Sequence, residues 1–296
     1  MGMEKEVPKR APFEAAFTTL PWDGESKVRS PKLHMLRLKK HAEALSIPWP
    51  NAFSEDLRFA LNILSEGEDA NSQSPQESAD KGEHGTNITS GNGENIEGQP
   101  PFLLRVEIDE MSNISLTGRP NRKTRNHISG IIHPAPNWPK SIQGIKHADW
   151  TPYAEAGLAA RKAGAQVALL AREGEIIDGD RASPILLDID GTAWVVSPER
   201  GAIPSTTLEL VIPAIEAQGI PVRKGRLTEV MFARAYEVLL LGSGLTAVRL
   251  TDIDGQDIGI DAEGEVTKSI LLPICQQAII DQGWTDFNQW VEDVIL

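Results

Sequence analysis

Cysteine is nearly absent: Cys275 is the one cysteine in 296 residues. No intrachain disulfide can form, so packing and hydrogen bonds must hold the fold. Cys275 lies inside the apolar run from Ile270 to Ile280. With no cationic neighbour to stabilise a thiolate, it reads as a small core residue and not as a nucleophile. Positive charge is also short. The chain has 29 basic against 42 acidic residues, a net charge of −13. A nucleic-acid-binding surface needs a basic stripe to displace counterions, and this balance argues against one. No apolar run reaches the roughly 20 residues of a membrane-spanning helix. The opening stretch MGMEKEVPKR is charged throughout, unlike a secretion signal. The expectation is a cytoplasmic protein with no membrane or nucleic-acid partner and no metal site, in which the N-x-S/T triplets at Asn87 and Asn113 carry no meaning.

What is present is enough apolar material, 40% of the chain, to build real cores. The length suggests two compact domains of about 100–150 residues each. The stretch at about 65–101 carries eight acids and one basic residue, Lys81, among Ser, Gly, Asn and Gln. It has almost nothing to pack and reads as a solvated, mobile insertion. Around it the spacing predicts a strand over Phe13–Leu20, helices over Pro31–Leu45 and Phe53–Leu64, and strands over Phe102–Asp109 and Asn113–Thr117. Pro134, Pro136 and Pro139 then punctuate the chain around Trp138, as a linker would. Beyond it come a helix over Tyr153–Ala163 closed by Gly164, and strands over Val167–Ala171, Ile185–Ile189 and Thr192–Val196, the last two joined at Asp190-Gly191. A helix follows over Ser205–Gln218, a short strand over Val222–Lys224, and a short helix over Thr228–Arg234. Strands over Glu237–Leu241 and Val248–Ile253, then helices over Val266–Gln282 and Thr285–Ile295, complete the pattern. Strands and helices mix without strict βαβ alternation, which favours an α+β fold.

Four local features carry chemistry. Gly242-Ser243-Gly244-Leu245-Thr246-Ala247 formally matches a dinucleotide fingerprint, but strand residues and not a helix follow the glycines. What survives is a small-residue loop whose amides and hydroxyls can cradle a phosphate; the plainer reading is a tight turn. Ser205-Thr206-Thr207 stand where a helix starts, a place that suits an anion but equally an ordinary N-cap. Arg37, in His34-Met35-Leu36-Arg37-Leu38, offers a fork of donors, or is a surface arginine. Lys146, in Gln143-Gly144-Ile145-Lys146 just past the linker, becomes nucleophilic if desolvated between domains, and is otherwise a solvated lysine.

The order and spacing of these features resemble the class IV aminotransferases, the pyridoxal 5′-phosphate (PLP) enzymes of fold type IV. That group includes branched-chain and D-amino-acid aminotransferases and 4-amino-4-deoxychorismate lyase. Phe13-Glu14, the turn at Asp23-Gly24 and His34 to Leu38 match the family's opening. Ile142 to Lys146 matches its lysine segment, and Gly174 to Gly179 its acid facing the pyridine nitrogen. Val196 to Leu208 and Glu237 to Val248 match its two phosphate loops. The family usually has Glu where Asp178 stands, its Gly-Ile-Thr-Arg reads Ser205-Thr206-Thr207-Leu208, and Trp150 stands near a customary tyrosine, with Tyr153 the nearest phenol.

The resemblance implies a two-domain PLP fold type IV of the D-amino-acid aminotransferase kind: a small N-terminal α+β domain over 1–137, a linker over 138–145 and a larger C-terminal PLP-binding domain over 146–296. It implies a homodimer with PLP as a Schiff base on Lys146, Asp178 at the ring nitrogen, and Arg37, Thr206, Thr207 and Ser243 at the phosphate. Lys146 and Asp178 are the implied catalytic pair. Three functions stay open: a branched-chain-like aminotransferase acting between an amino acid and a 2-oxo acid, a PLP lyase, or a relative without catalysis. Arg105, Arg119 and Arg122 are candidates for a substrate carboxylate by region only.

Overall fold

The computed structural model describes residues 14–70, 96 and 98–293. They form two sheets. The smaller contains β1 (Ala15–Trp22), β2 (Lys27–Val28), β3 (Phe102–Asp109) and β4 (Ile114–Pro120). Between its strands run α1 (Pro31–Ala44) and α2 (Phe53–Ala70). Thr18 pairs with Val106, and Arg105 with both Thr19 and Thr117. Because side chains alternate along a strand, the sheet has two different faces. Ala16, Leu20, Trp22, Leu104, Val106 and Ile108 face a core shared with Met35, Leu38 and Ala42 of α1 and Leu57 of α2. Phe17, Thr19, Leu103, Arg105, Thr117 and Arg119 line a cavity instead. The predicted α1 spacing is the reason: Met35, Leu38 and Ala42 fall on one stripe, and Pro31 opens the helix.

The larger sheet is built from β5 (His127–Pro134), β6 (Val167–Arg172), β7 (Glu175–Gly179), β8 (Ser183–Leu187), β9 (Ala193–Val196), β10 (Val222–Gly225), β11 (Leu227–Thr228), β12 (Glu237–Gly242) and β13 (Thr246–Ile253). The strand order is β10-β9-β8-β12-β13-β5-β6-β7-β11, and β14 (Gln256–Asp257) adds to β13. Only Arg226 separates the two end strands in sequence, so the sheet must curl until its edges nearly meet. Its helices are α3 (Thr151–Lys162), α4 (Thr206–Ala217), α5 (Glu229–Ala233) and α6 (Leu271–Asp281). Val238 and Leu240 point into the interior with Leu169, Leu186 and Val248. Leu239 and Leu241 point the other way, under Val211 and Ile215 of α4 and Cys275 of α6. A strand buried on both faces reads as a continuous apolar run, as this one does. Cys275 is fully buried, the core position its neighbours implied.

Several elements differ from the sequence expectation. The helix expected from Val266 begins only at Leu271. Arg249 of β13 binds the Thr267 carbonyl (2.6 Å) and hydroxyl (2.7 Å), holding that residue in a loop. The buried Glu237 of β12 then accepts from the amides of Ile270 (2.8 Å), Leu271 (2.7 Å) and Leu272 (3.3 Å) and from the Ser269 hydroxyl (2.5 Å), fixing where the helix starts. Thr285–Asp286 form β15 on β2 of the small sheet before α7 (Phe287–Asp293). β5 and β7 were not expected as strands. β5 precedes the predicted 138–145 linker yet pairs in the larger sheet, whereas β15 and α7, far beyond it, belong with the smaller. α2 continues to Ala70, into the predicted insertion, most of which (71–95 and 97) lies outside the described residues. Its far end is tied down: Arg29 donates to the Gly98 carbonyl at 2.6 Å. Among the described residues no helix is long and apolar enough to cross a membrane.

Candidate active site

A cavity of about 500 Å³ opens between the two sheets, and Arg37, Lys146, Asp178, Thr206, Thr207 and Ser243 all line it. These residues come from α1, the segment between β5 and α3, β7, the start of α4 and the β12–β13 turn. The structure thus brings every residue singled out for cofactor binding to one place.

Lys146 is held by its backbone. Its N–H donates to His41 Nδ1 (3.1 Å) and its carbonyl accepts from the Phe17 amide (3.1 Å), so the segment runs along the free edge of β1. Gly144 sits at φ +75°, and a Cβ there would lie 2.8 Å from the Ala202 carbonyl. Only glycine lets the lysine segment approach the loop before α4 this closely. The ammonium position, Nζ, lies 4.3 Å from the Trp150 ring centre and 5.2 Å from that of Phe17. Burial, then the charge of Arg37, lowers the Lys146 pKa to about 7, with Asp178 pulling the other way. The amine is therefore substantially neutral at physiological pH, the form a nucleophile needs.

Asp178 is 3% exposed. Oδ1 accepts from the Gly179 amide (2.9 Å) and the Ser183 hydroxyl (3.0 Å), and Oδ2 from the Ile203 amide (3.1 Å). Burial raises its pKa to about 6 against the pull of those hydrogen bonds and of Lys146. Its partner Ile203 belongs to the loop that leads into α4, so one carboxylate ties β7 to that loop.

At the end of that loop, Ser205 caps α4 by accepting from the Leu208 amide at 3.3 Å. The amides of Thr206 and Thr207 belong to the first turn and have no carbonyl to receive them within the helix. Arg37 donates to the Pro204 carbonyl (3.1 Å) and the Thr18 hydroxyl (2.7 Å), while its Nε is buried with no partner among the described residues. The G-x-G pattern is an antiparallel hairpin, Gly242 pairing with Thr246, and not a strand-to-helix turn. A Cβ on Gly244 would meet Asn121 Oδ1 at 3.0 Å, and its carbonyl accepts from Asn121 Nδ2 at 2.8 Å. The turn is thus pinned against the smaller sheet with Ser243 at the cavity.

Several residues that matter here were not read from the sequence. His34 bridges Thr18 (2.9 Å) and Thr206 (3.3 Å), and His41 receives the Lys146 amide. Burial, then Arg37 and Lys146, depresses both imidazole pKa values, that of His41 to about 3, so both are neutral. His34, Arg37 and His41 share a face of α1 at a spacing of three and four, a signal legible in principle but common to any half-buried helix. Trp150 occupies the place near the expected tyrosine, stacked on Tyr153 at 3.9 Å. Arg105, Arg119 and Arg122 all line the cavity, and so do Arg161 and Arg181, which no sequence pattern marked.

These residues fit PLP, the group the sequence resemblance implies. The end of the cavity at α4 offers a guanidinium whose buried Nε has no partner among the described residues, three hydroxyls and two first-turn amides. The opposite wall supplies a buried carboxylate and the site's amine is largely deprotonated, as a ring nitrogen and an aldehyde require.

Comparison with known proteins agrees with the geometry. The amino-transferase class IV family model matches residues 15–253. A branched-chain aminotransferase from Thermoproteus uzoniensis superposes with a TM-score of 0.68 at 16% identity, covering 93% of this chain and 90% of that one. A putative 4-amino-4-deoxychorismate lyase from Legionella pneumophila gives 0.64 at 17%, covering 93% and 95%. A hypothetical aminotransferase from Mycobacterium tuberculosis in its PLP-bound form gives 0.65 at 16%, covering 94% and 96%. No curated protein matches the sequence. The cavity, the fold and the extent of the family match agree: the chain belongs to the class IV aminotransferase family, with the α+β architecture of PLP fold type IV.

Proposed function

We propose that the protein is a PLP-dependent aminotransferase that moves an amino group between an amino acid and a 2-oxo acid. The observation that carries this reading is the meeting of a near-neutral Lys146 and a buried Asp178 in one cavity with a preformed anion cradle. When bound, PLP supplies the electron sink for bond breaking at the substrate α-carbon. Lys146 would hold the cofactor through Nζ, and the same atom would carry the proton to and from the substrate α-carbon. His41 and the Phe17 amide fix the backbone from which that side chain swings. Asp178 holds a proton at the ring nitrogen, its position set by the Gly179, Ser183 and Ile203 donors. Arg37, Thr206, Thr207 and Ser243 bind the phosphate. Arg37, a donor only, faces His34 Nδ1 at 3.5 Å as well as the Thr18 hydroxyl, which favours Nδ1 as the acceptor; the neutral imidazole then donates from Nε2 to Thr206, leaving the Thr206 hydroxyl hydrogen for the phosphate. The same reading takes the two sheets as two domains with the cofactor between them, in a cytoplasmic homodimer.

The test is the half-reaction. The PLP-loaded protein is mixed with single amino acids and followed by absorbance for conversion to the pyridoxamine form. Conversion that reverses on adding a 2-oxo acid supports transamination. Release of pyruvate from an aminated chorismate-type substrate without that conversion would replace this reading with the lyase one. Loaded protein inert to both would leave a relative without catalysis.

A further inference from the structure

The turn that carries Ser243 is strained, and it is gripped from outside the cavity. Gly242 pairs with Thr246 across it, which leaves Ser243, Gly244 and Leu245 beyond the ladder. Thr246 sits at φ +61°, in the left-handed region. A β-branched residue is an outlier there and stays only where its surroundings impose the conformation. The grip falls on the Gly244 carbonyl. That oxygen accepts from Gln99 Nε2 at 3.0 Å and from Asn121 Nδ2 at 2.8 Å, which occupies both its lone pairs. Each amide is itself fixed. Gln99 Nε2 gives its second hydrogen to the Arg122 carbonyl (3.0 Å), and its Oε1 accepts from the Thr124 amide (3.2 Å). Asn121 gives its second side-chain hydrogen to the Pro100 carbonyl (2.9 Å) and its backbone N–H to the Pro101 carbonyl (2.8 Å). The base is firm as well. Gln99 stands at the tied-down far end of the predicted insertion, its N–H donating to the carbonyl of Ile96 (3.2 Å), and Ile96 is buried with Ile128 and Leu250 in the larger sheet's core. Asn121 lines the cavity; Gln99 does not, so it can reach a bound molecule only through the turn.

We propose that Gln99 is a positioning residue for the cofactor phosphate: together with Asn121 it holds the Gly242–Thr246 turn in the strained shape that presents Ser243 to the phosphate. This rests on the reading that the turn faces that group. Without the Gln99 donor, one lone pair of the Gly244 carbonyl is left open and Thr246 is free to relax out of the left-handed region. The phosphate must then reorder the turn as it binds, and its affinity falls. The ring and aldehyde end, held by Asp178 and Lys146, is untouched by the change.

The test is an absorbance titration of the apoprotein with PLP and, separately, with pyridoxal, which lacks the phosphate. Q99M keeps the length of the side chain and removes its hydrogen bonds. It is expected to weaken PLP about tenfold and pyridoxal by less than about twofold. Q99E keeps the shape but turns an acceptor toward the Gly244 and Arg122 carbonyls, and is expected to weaken PLP further still. Gln99 is only partly buried, so both variants are expected to fold, which urea midpoints close to that of the parent chain check. A loss shared equally by PLP and pyridoxal marks a general structural role and overturns the proposal. So does PLP binding indifferent to both substitutions. The parent chain separates these failures from that of the underlying reading. If it prefers PLP to pyridoxal and Q99M keeps that preference, this inference alone falls. If it binds the two alike, the phosphate cradle itself falls, and this inference with it.

Discussion

Replacing Lys146 with methionine should make the cofactor-free protein more stable, not less. Lys146 Nζ has no hydrogen bond among the described residues; its contacts are the faces of Trp150 and Phe17. Its pKa lies at about 7 in the fold, against about 10.4 in an unfolded chain. Between those values the unfolded chain holds a proton that the folded chain has released, so the stability contributed by Lys146 rises with pH across that window. Below pH 7 the full penalty applies. The gap corresponds to about 4–5 kcal/mol. Partial exposure of the side chain, the favourable ring faces and the loss of a positive neighbour for Asp178 each reduce what the substitution recovers, to about 2 kcal/mol. Methionine fills nearly the same volume without a charge. The assay is urea denaturation of both apoproteins at pH 6, 7, 8.5 and 10. K146M should be ahead by about 2 kcal/mol at pH 6–7, with the lead closing by pH 10. Equal or lower stability of the variant, or a difference that ignores pH, would refute the claim that this amine is held desolvated.

Two further outcomes follow from the anion cradle and the core. Arg37→Gln should weaken PLP about 10–100-fold in an absorbance titration yet leave pyridoxal, which lacks the phosphate, almost unaffected. Glu237→Ala strips the acceptor from three amides and a hydroxyl at the start of α6; it should cost about 3 kcal/mol in chemical denaturation, with Glu237→Gln in between.

How much of this was legible depended on whether the cause was local. α1 was readable because its core stripe and its opening proline are within one helix. The hairpin nature of Gly242–Thr246 was readable from the strand residues that follow. The start of α6 was not, because Glu237 stops it from 34 residues away at Leu271. β7 is five residues long and meets β6 through a register shift, so no clean alternation marked it. Of the site, the six residues expected at the cofactor were singled out by their order along the chain, since each alone had a plainer reading, and all six line the cavity. Arg161 and Arg181 carried no mark because their meaning comes from what the fold places opposite them, and the spacing that puts His41 beside Arg37 is common to any half-buried helix. Only the topology puts β15 and α7 back on the smaller sheet.

The most direct measurement is to load the protein with PLP, reduce with borohydride, and map the modified peptide by mass spectrometry. The account predicts a phosphopyridoxyl group on Lys146, and K146M left unlabelled. Folded protein whose Lys146 stays unmodified in excess PLP would contradict it.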